Sequence, residues 1–243
     1  MKVKYLGKKN SSKILDYSPS LLDSVERLHT PSLNYYGIDY WNAYEFSFLN
    51  ASSQQKLETL EIKIPADSKI TVESKSLKIY LASFYKKKFK ASINAHQLIA
   101  KDLSKLLQSK IMVSKKNFYE EAPKAFLLNR SDAMVPKNKI IRYEGFRSIC
   151  PVTSQPDWAN IYIHSSSNAL DAKKIIKLLK SFKERGDFHE ACIDSIFSSL
   201  MHDFHINDLT VCGRFLRRGG IDINPIRSSK KKIFFNNFRD FNQ

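Results

Sequence analysis

The stretch Leu77-Lys78-Ile79-Tyr80-Leu81-Ala82-Ser83-Phe84 decides the fold class. Leu77, Tyr80, Leu81 and Phe84 step at three and four residues, the spacing that gathers side chains on one face of a helix. Upstream the period is two. Glu45-Phe46-Ser47-Phe48-Leu49-Asn50 alternates as a strand does. Leu57 to Pro65 alternates again, with Leu57, Leu60, Ile62 and Ile64 apolar, and Lys69-Ile70-Thr71-Val72 continues as strand. Downstream, Ser92 is the expected N-cap of a second helix with Leu98, Ile99, Leu103, Leu106 and Leu107 on one face. Ile111-Met112-Val113 then reads as a strand.

The second half repeats this plan. Trp158 to His164 reads as a strand with Ile161 and Ile163 on one face. Leu170, Ile175, Ile176, Leu178 and Leu179 lead into Ser181-Phe182. A helix follows Phe188-His189-Glu190 and buries Cys192, Ile193, Ile196, Phe197 and Leu200; Leu209 to Phe215 is again a strand. Ser83-Phe84 and Ser181-Phe182 each close a helical turn before a loop, a second helix and a strand. The chain therefore reads as two copies of one α+β unit, with antiparallel strand pairs followed by helices. The expected divisions are an arm over 1–30, a first unit over 31–118, a linker over 119–140 and a second unit over 141–243. The linker expectation rests on a polar stretch without clear period that holds Pro123 and Pro136.

Composition bounds the function classes. Of 243 residues, 42% are hydrophobic and 12% aromatic, enough apolar material for a packed core, which excludes wholesale disorder. No apolar run approaches the roughly 18 residues of a membrane-spanning helix. The opening Met1-Lys2-Val3-Lys4-Tyr5 leads into no apolar stretch, so no secretory signal and a cytoplasmic location are expected. The three cysteines, Cys150, Cys192 and Cys212, lack C-x-x-C spacing, which argues against a disulfide framework or a zinc ribbon; the His residues form no H-E-x-x-H, and no metal site is expected. The formal charge of +16 raises nucleic-acid binding. The excess is scattered lysine in a chain also rich in Asn, Ile and Phe, as an AT-rich coding sequence produces, so a solvated basic surface is expected instead.

Four stretches carry chemistry. Ser148-Ile149-Cys150-Pro151-Val152-Thr153-Ser154-Gln155-Pro156-Asp157-Trp158 places a thiol seven residues from a carboxylate. Fully extended, that separation exceeds roughly 20 Å; a turn between the prolines folds the two groups together. The stretch reads either as a proline-bounded turn with a buried cysteine or as a nucleophile with its proton donor. Val72-Glu73-Ser74-Lys75-Ser76-Leu77-Lys78 spans a strand-to-helix handover, and reads as a capped helix start or as a seat for phosphate. Gly186-Asp187-Phe188-His189-Glu190 opens a helix whose dipole favours the carboxylate; the same carboxylate suits the two N–H donors of an aminopyrimidine edge. Arg217-Arg218-Gly219-Gly220 joins two cations to a pair of glycines that allow a tight turn and close backbone approach.

Together these stretches resemble the QueF family, NADPH-dependent 7-cyano-7-deazaguanine (preQ0) reductases of queuosine biosynthesis. The Cys-Pro-Val-Thr-x-Gln-Pro-Asp-Trp loop, Glu-Ser-Lys-Ser-Leu-Lys, Phe-His-Glu and Arg-Arg-Gly-Gly occur in family order, and Tyr36 to Glu45 is similar to the opening of the family's long form. The resemblance runs from about Tyr36 to Ser228. It implies two tandem tunnelling-fold units, a site between the halves and a homodimer. It implies Cys150 as nucleophile and Asp157 as proton donor. It implies Val72, Glu73, Ser74, His189 and Glu190 as substrate contacts, and Ser74, Lys75, Arg218 and Gly219 as NADPH contacts, with no metal. The partner is the small molecule preQ0; no membrane and no stable nucleic-acid partner are expected. Alternatives from other classes are a non-redox tunnelling-fold enzyme acting on a pterin or purine, and a basic RNA-binding module. Ser154 stands where the family has Gly; if that position needs positive φ, Ser costs about 1 kcal/mol.

Overall fold

The computed structural model describes residues 16–27, 35–128 and 134–243. Parts of three expected divisions, 1–15 and 28–30 of the arm, 31–34 of the first unit and 129–133 of the linker, lie outside the described residues. The chain forms two compact units. Among the described residues the first comprises 16–27, Tyr40–Phe118 and Arg218–Asp222, and the second comprises 35–39, Tyr119–Arg217 and Ile223–Gln243.

The first unit contains β1 (Ser24–Glu26), most of β2 (Tyr36–Leu49), β3 (Gln55–Pro65), β4 (Ile70–Val72), α1 (Ser74–Ala82), α2 (Ser92–Leu107) and β5 (Met112–Lys115). β3 lies next to β2 and pairs antiparallel with β5, Ile62 opposite Val113. β1 pairs antiparallel with β4, Val25 opposite Thr71. Thus the described part of the expected arm belongs to this unit, held by a strand too short to show a period. The alternating positions of β2 and β3 bury Phe46, Phe48, Leu60, Ile62 and Ile64, and Leu77, Tyr80, Leu81 and Phe84 of the decisive stretch are buried as well. Each such side chain contributes about 1.5–3 kcal/mol over an exposed one. Phe84 packs edge-on to Phe46, ring centroids 5.5 Å apart. On α2, Ile99, Leu103 and Leu107 are buried, and Leu98 and Leu106 flank them half-buried. Ala91, not Ser92, is the N-cap, because its backbone is extended (φ −141, ψ 150). Ser92 is the first helical residue and its hydroxyl donates to Glu58 at 2.9 Å.

The second unit contains β6 (Phe126–Leu127), β7 (Met134–Val135), β8 (Ile140–Ile149), β9 (Pro156–His164), β10 (Leu170–Asp171), α3 (Ala172–Lys180), α4 (His189–His202), β11 (Thr210–Phe215) and most of β12 (Ile221–Ser228). Strand order is β6-β8-β9-β11-β12. Among the described strands of this order, β6–β8 pair in parallel, and β8–β9, β9–β11 and β11–β12 are antiparallel. Between Tyr143 and Phe146 the β8–β9 register shifts, and Gly145 there takes φ +71, a conformation that favours glycine. Ile161, Ile163 and Val211 form one core with Ile175, Leu179, Cys192, Ile193, Ile196, Phe197 and Leu200 of the helices. The expected linker 119–140 supplies β6, β7 and the start of β8, and its Leu128 and Val135 are buried in this same core.

α1 and α3 share several hydrogen-bonding details. α1 and α3 both have nine residues, and each begins with an acidic N-cap, Glu73 or Asp171. Each ends in a serine, Ser83 or Ser181, whose hydroxyl donates to the carbonyl three residues back, at 2.6 and 2.7 Å. Leu49 at the end of β2 bridges Lys88, as Ile149 at the end of β8 bridges Gly186. No helix among the described residues is long and apolar enough to cross a membrane.

Candidate active site

In the second unit the hairpin of β8 and β9 folds the thiol stretch back on itself. Ile149 pairs with Pro156 and Ser148 with Asp157. The ladder extends one rung further, with the Cys150 N–H donating to Gln155 O at 2.9 Å, and the turn closes with Ser154 N–H donating to Cys150 O at 3.0 Å. Side chains two apart on a strand share a face, so Cys150 shares one with Ser148 and Asp157. Cys150 and Asp157 are diagonal neighbours across the hairpin, a relation that places such residues about 7–8 Å apart. Ser154 takes φ +55, the strained conformation anticipated for this departure from glycine.

The loop before α4 docks beside this hairpin. Ile149 N–H donates to Arg185 O at 2.9 Å, and the Arg147 guanidinium donates to Lys183 O. That attachment sets the first turn of α4 next to β9. His189 Nε2 lies 3.3 Å from Asp157 Oδ2. The His189 ring stacks on Phe215 with centroids 4.0 Å apart and planes 8° from parallel, and its Nδ1 is buried with no hydrogen-bond partner among the described residues. Glu190 is 5% exposed and sits in the helix's first turn, where backbone N–H groups and the dipole favour an anion. Phe188 is the N-cap and provides no capping side chain.

The three thiols are distinct. Burial pushes the Cys192 thiol up to about 12 and the Cys212 thiol up to about 11. Cys150 alone is partly exposed, and only a thiolate is a good nucleophile. In the first unit Asn50 stands where Cys150 stands in the second, each following the bridging residue.

The first unit holds the other predicted residues. Val72 ends β4 and is buried. Glu73, 2% exposed, caps α1: its carboxylate accepts from Lys75 N–H at 2.8 Å and from Ser76 N–H at 2.7 Å. Ser74 and Lys75 form the exposed side of that first turn and are half-buried. Arg218 and Ile221 close a tight turn through reciprocal backbone hydrogen bonds, with Gly219 at φ +58 and Gly220 at φ +83. A Cβ on Gly219 would lie 2.5 Å from Lys78 Nζ. Bare backbone at this turn therefore meets the ammonium of a lysine one turn along α1 from Ser74 and Lys75. Such a cradle fits the phosphates of a nicotinamide dinucleotide, and its left-handed φ at Gly219 favours glycine.

Sequence reasoning passed over four features. Ser148 is fully buried directly across the ladder from Asp157, and Phe215 supports the His189 ring. Lys78 abuts Gly219. Asp222 accepts from Asn42 Nδ2 at 2.7 Å and from the Tyr44 hydroxyl, tying the glycine turn to β2. Strand parity pointed to Ser148 and helical spacing to Lys78; nothing local pointed to Phe215 or Asp222.

Comparison with known proteins gives the class first. Residues 15–115 match the family model described as nitrile reductase, 7-cyano-7-deazaguanine-reductase N-term, and residues 156–234 match the one described as QueF-like protein. A protein named NADPH-dependent 7-cyano-7-deazaguanine reductase from Coxiella burnetii (strain RSA 493 / Nine Mile phase I) is 33% identical, covering 94% of this chain and 92% of its own length. One of the same name from Teredinibacter turnerae is 34% identical, covering 88% and 87%. The chain belongs to the QueF family of NADPH-dependent 7-cyano-7-deazaguanine reductases.

Proposed function

We propose that this chain reduces the nitrile of preQ0 to the aminomethyl group of preQ1 in queuosine biosynthesis, consuming two NADPH. Family membership over nearly the whole chain supports the activity. The observation that carries the mechanism is Cys150 and Asp157 on one face of the β8–β9 hairpin.

A nitrile carbon is a poor hydride acceptor. The Cys150 thiolate adds to it: a C–S bond forms, one C–N π bond breaks, and the nitrogen takes a proton from Asp157. The product is a thioimide, which accepts hydride more readily, so one hard step becomes two easier ones. NADPH, when bound, supplies the two hydride equivalents; after the first the C–S bond breaks, its electron pair returns to Cys150 as thiolate, and a C=N bond is left for the second. His189, against Asp157, orients that carboxyl group and contacts substrate. Glu190 and Glu73 accept the N–H donors of the deazaguanine edge. Glu73 Oε2 accepts only the Ser76 N–H among the described residues and keeps a lone pair for the ligand, while Oε1 accepts the Lys75 N–H and, at 3.4 Å, the Ser74 hydroxyl. Val72 and Ser74 complete the substrate contacts. Ser74, Lys75, Arg218 and Gly219 hold the cofactor, with cations for its 2′-phosphate or pyrophosphate.

Each α+β unit is assigned to the tunnelling fold, and the protein works as a cytoplasmic homodimer without a stable nucleic-acid partner. The test is stoichiometry. Two NADPH oxidised per preQ0 consumed is expected; product formed with no NADPH oxidised would overturn the reading.

A further inference from the structure

Residues 235–243 lie beyond the second matched stretch, which ends at 234. They nevertheless pack tightly on the second unit, on the sheet face opposite α3 and α4. Asn237 and Asp240 are each 3% exposed. Asp240 Oδ2 accepts from Asn160 Nδ2 at 2.8 Å and from the Tyr162 hydroxyl at 2.6 Å, both on β9. Arg214 of β11, fully buried, donates to Asn237 Oδ1 at 3.0 Å and to Asn236 O at 2.6 Å, with its guanidinium 4.0 Å over the Phe238 ring. Gln243 Nε2 donates to Phe215 O at 2.9 Å and to Asn224 Oδ1 of β12 at 2.7 Å. Asp240 N–H in turn donates to Gln243 Oε1 at 3.1 Å, which orients that amide.

The segment therefore fastens β9, β11 and β12 from behind. β9 carries Asp157, and β11 ends at Phe215, the ring on which His189 stacks. Contacts run without a gap from Gln243 to Phe215, from Phe215 to His189 and from His189 to Asp157.

We propose that residues 235–243 are a brace that positions the His189–Asp157 pair, with Gln243 the positioning residue acting through Phe215. Its catalytic consequence rests on the roles given above to Asp157 and Cys150; its structural content does not. Loss of the Gln243 amide frees the end of β11, and the Phe215 ring loses its register beneath His189. Small displacements of a proton donor are costly, and a misplacement near 1 Å can cost about 10²-fold in rate.

The experiment compares the full chain with Gln243→Met, which keeps the side-chain length and removes both amide donors. The ring-proton NMR signals of His189, assigned against His189→Asn, report the Phe215 stack directly. The expected result is that these signals move away from their ring-current-shifted positions in Gln243→Met, and that covalent capture of preQ0 without NADPH slows by about tenfold. NADP+ affinity stays as in wild type. Unmoved His189 signals overturn the brace, whatever the kinetics. A lowered melting temperature with the stack intact also overturns it, since the segment is then structural only. Moved signals in a protein whose wild type captures no preQ0 leave the brace standing and overturn the covalent reading instead.

Discussion

Asp157 and Cys150 occupy one face of the β8–β9 hairpin because Ser148 pairs with Asp157 and Cys150 lies two residues beyond Ser148. The turn that permits this passes through Ser154 at φ +55. Replacing Ser154 with Gly removes a left-handed strain of about 1 kcal/mol but adds freedom to the unfolded chain, so stability stays level or rises by less than about 1 kcal/mol. Ser154→Val, β-branched at positive φ, should lower stability and slow capture of preQ0 at Cys150. Denaturant unfolding and capture rates measure both; a Val variant with wild-type values contradicts the strained turn.

The thiols should separate by reactivity. Iodoacetamide at pH 8 is expected to label Cys150 alone, with Cys192 and Cys212 labelled only after unfolding. Burial raises the latter two well above an ordinary thiol. A raised folded pKa means the folded protein holds the proton more tightly. Their stabilising effect is therefore complete below an unfolded value near 9 and is lost as pH rises toward 11 and 12. Unfolding free energy measured from pH 7 to 10.5 should begin to fall above about pH 9; labelling of Cys192 in the folded protein at pH 8 would contradict the assignment.

Glu190→Gln is expected to weaken preQ0 binding by roughly 2 kcal/mol, because a buried amide does not accept two donors as a carboxylate does. A purely helical role predicts a loss of up to about 1 kcal/mol in stability with binding intact. Calorimetric titration with preQ0 beside thermal unfolding separates the two.

Cofactor binding should depend on the glycine turn. Gly219→Ala puts a side chain on a left-handed backbone at φ +58 and pushes the flexible end of Lys78 aside, and Lys75→Ala removes a cation. Both variants should raise the KM for NADPH by about tenfold or more while capturing preQ0 at the wild-type rate in its absence. NADPH should be preferred to NADH. Equal kcat/KM for the two cofactors contradicts the placement.

Much of the scaffold was legible because its signals are local. The step of Leu77, Tyr80, Leu81 and Phe84, the alternation of β3 and the apolar face of α4 all report burial directly. What stayed hidden depends on long-range partners. β1 is three residues long and exists through β4, and β6 and β7 have two residues each and exist through β8 and β10. The N-cap moved from Ser92 to Ala91 because Glu58, on a distant strand, takes the serine hydroxyl. The site followed the same rule. Its residue types stood in motifs, but the 3.3 Å contact of His189 with Asp157 and the Phe215 stack arise only when α4, β9 and β11 are assembled.

The covalent step is tested most directly by intact-protein mass after incubating the wild-type chain with saturating preQ0 and no NADPH. Thiolate addition with a proton to nitrogen predicts a rise of one whole substrate with nothing lost. Cys150→Ala should abolish the shift while the protein stays folded, and Asp157→Asn should slow it. An unchanged wild-type mass, or an adduct that survives Cys150→Ala, would contradict the mechanism.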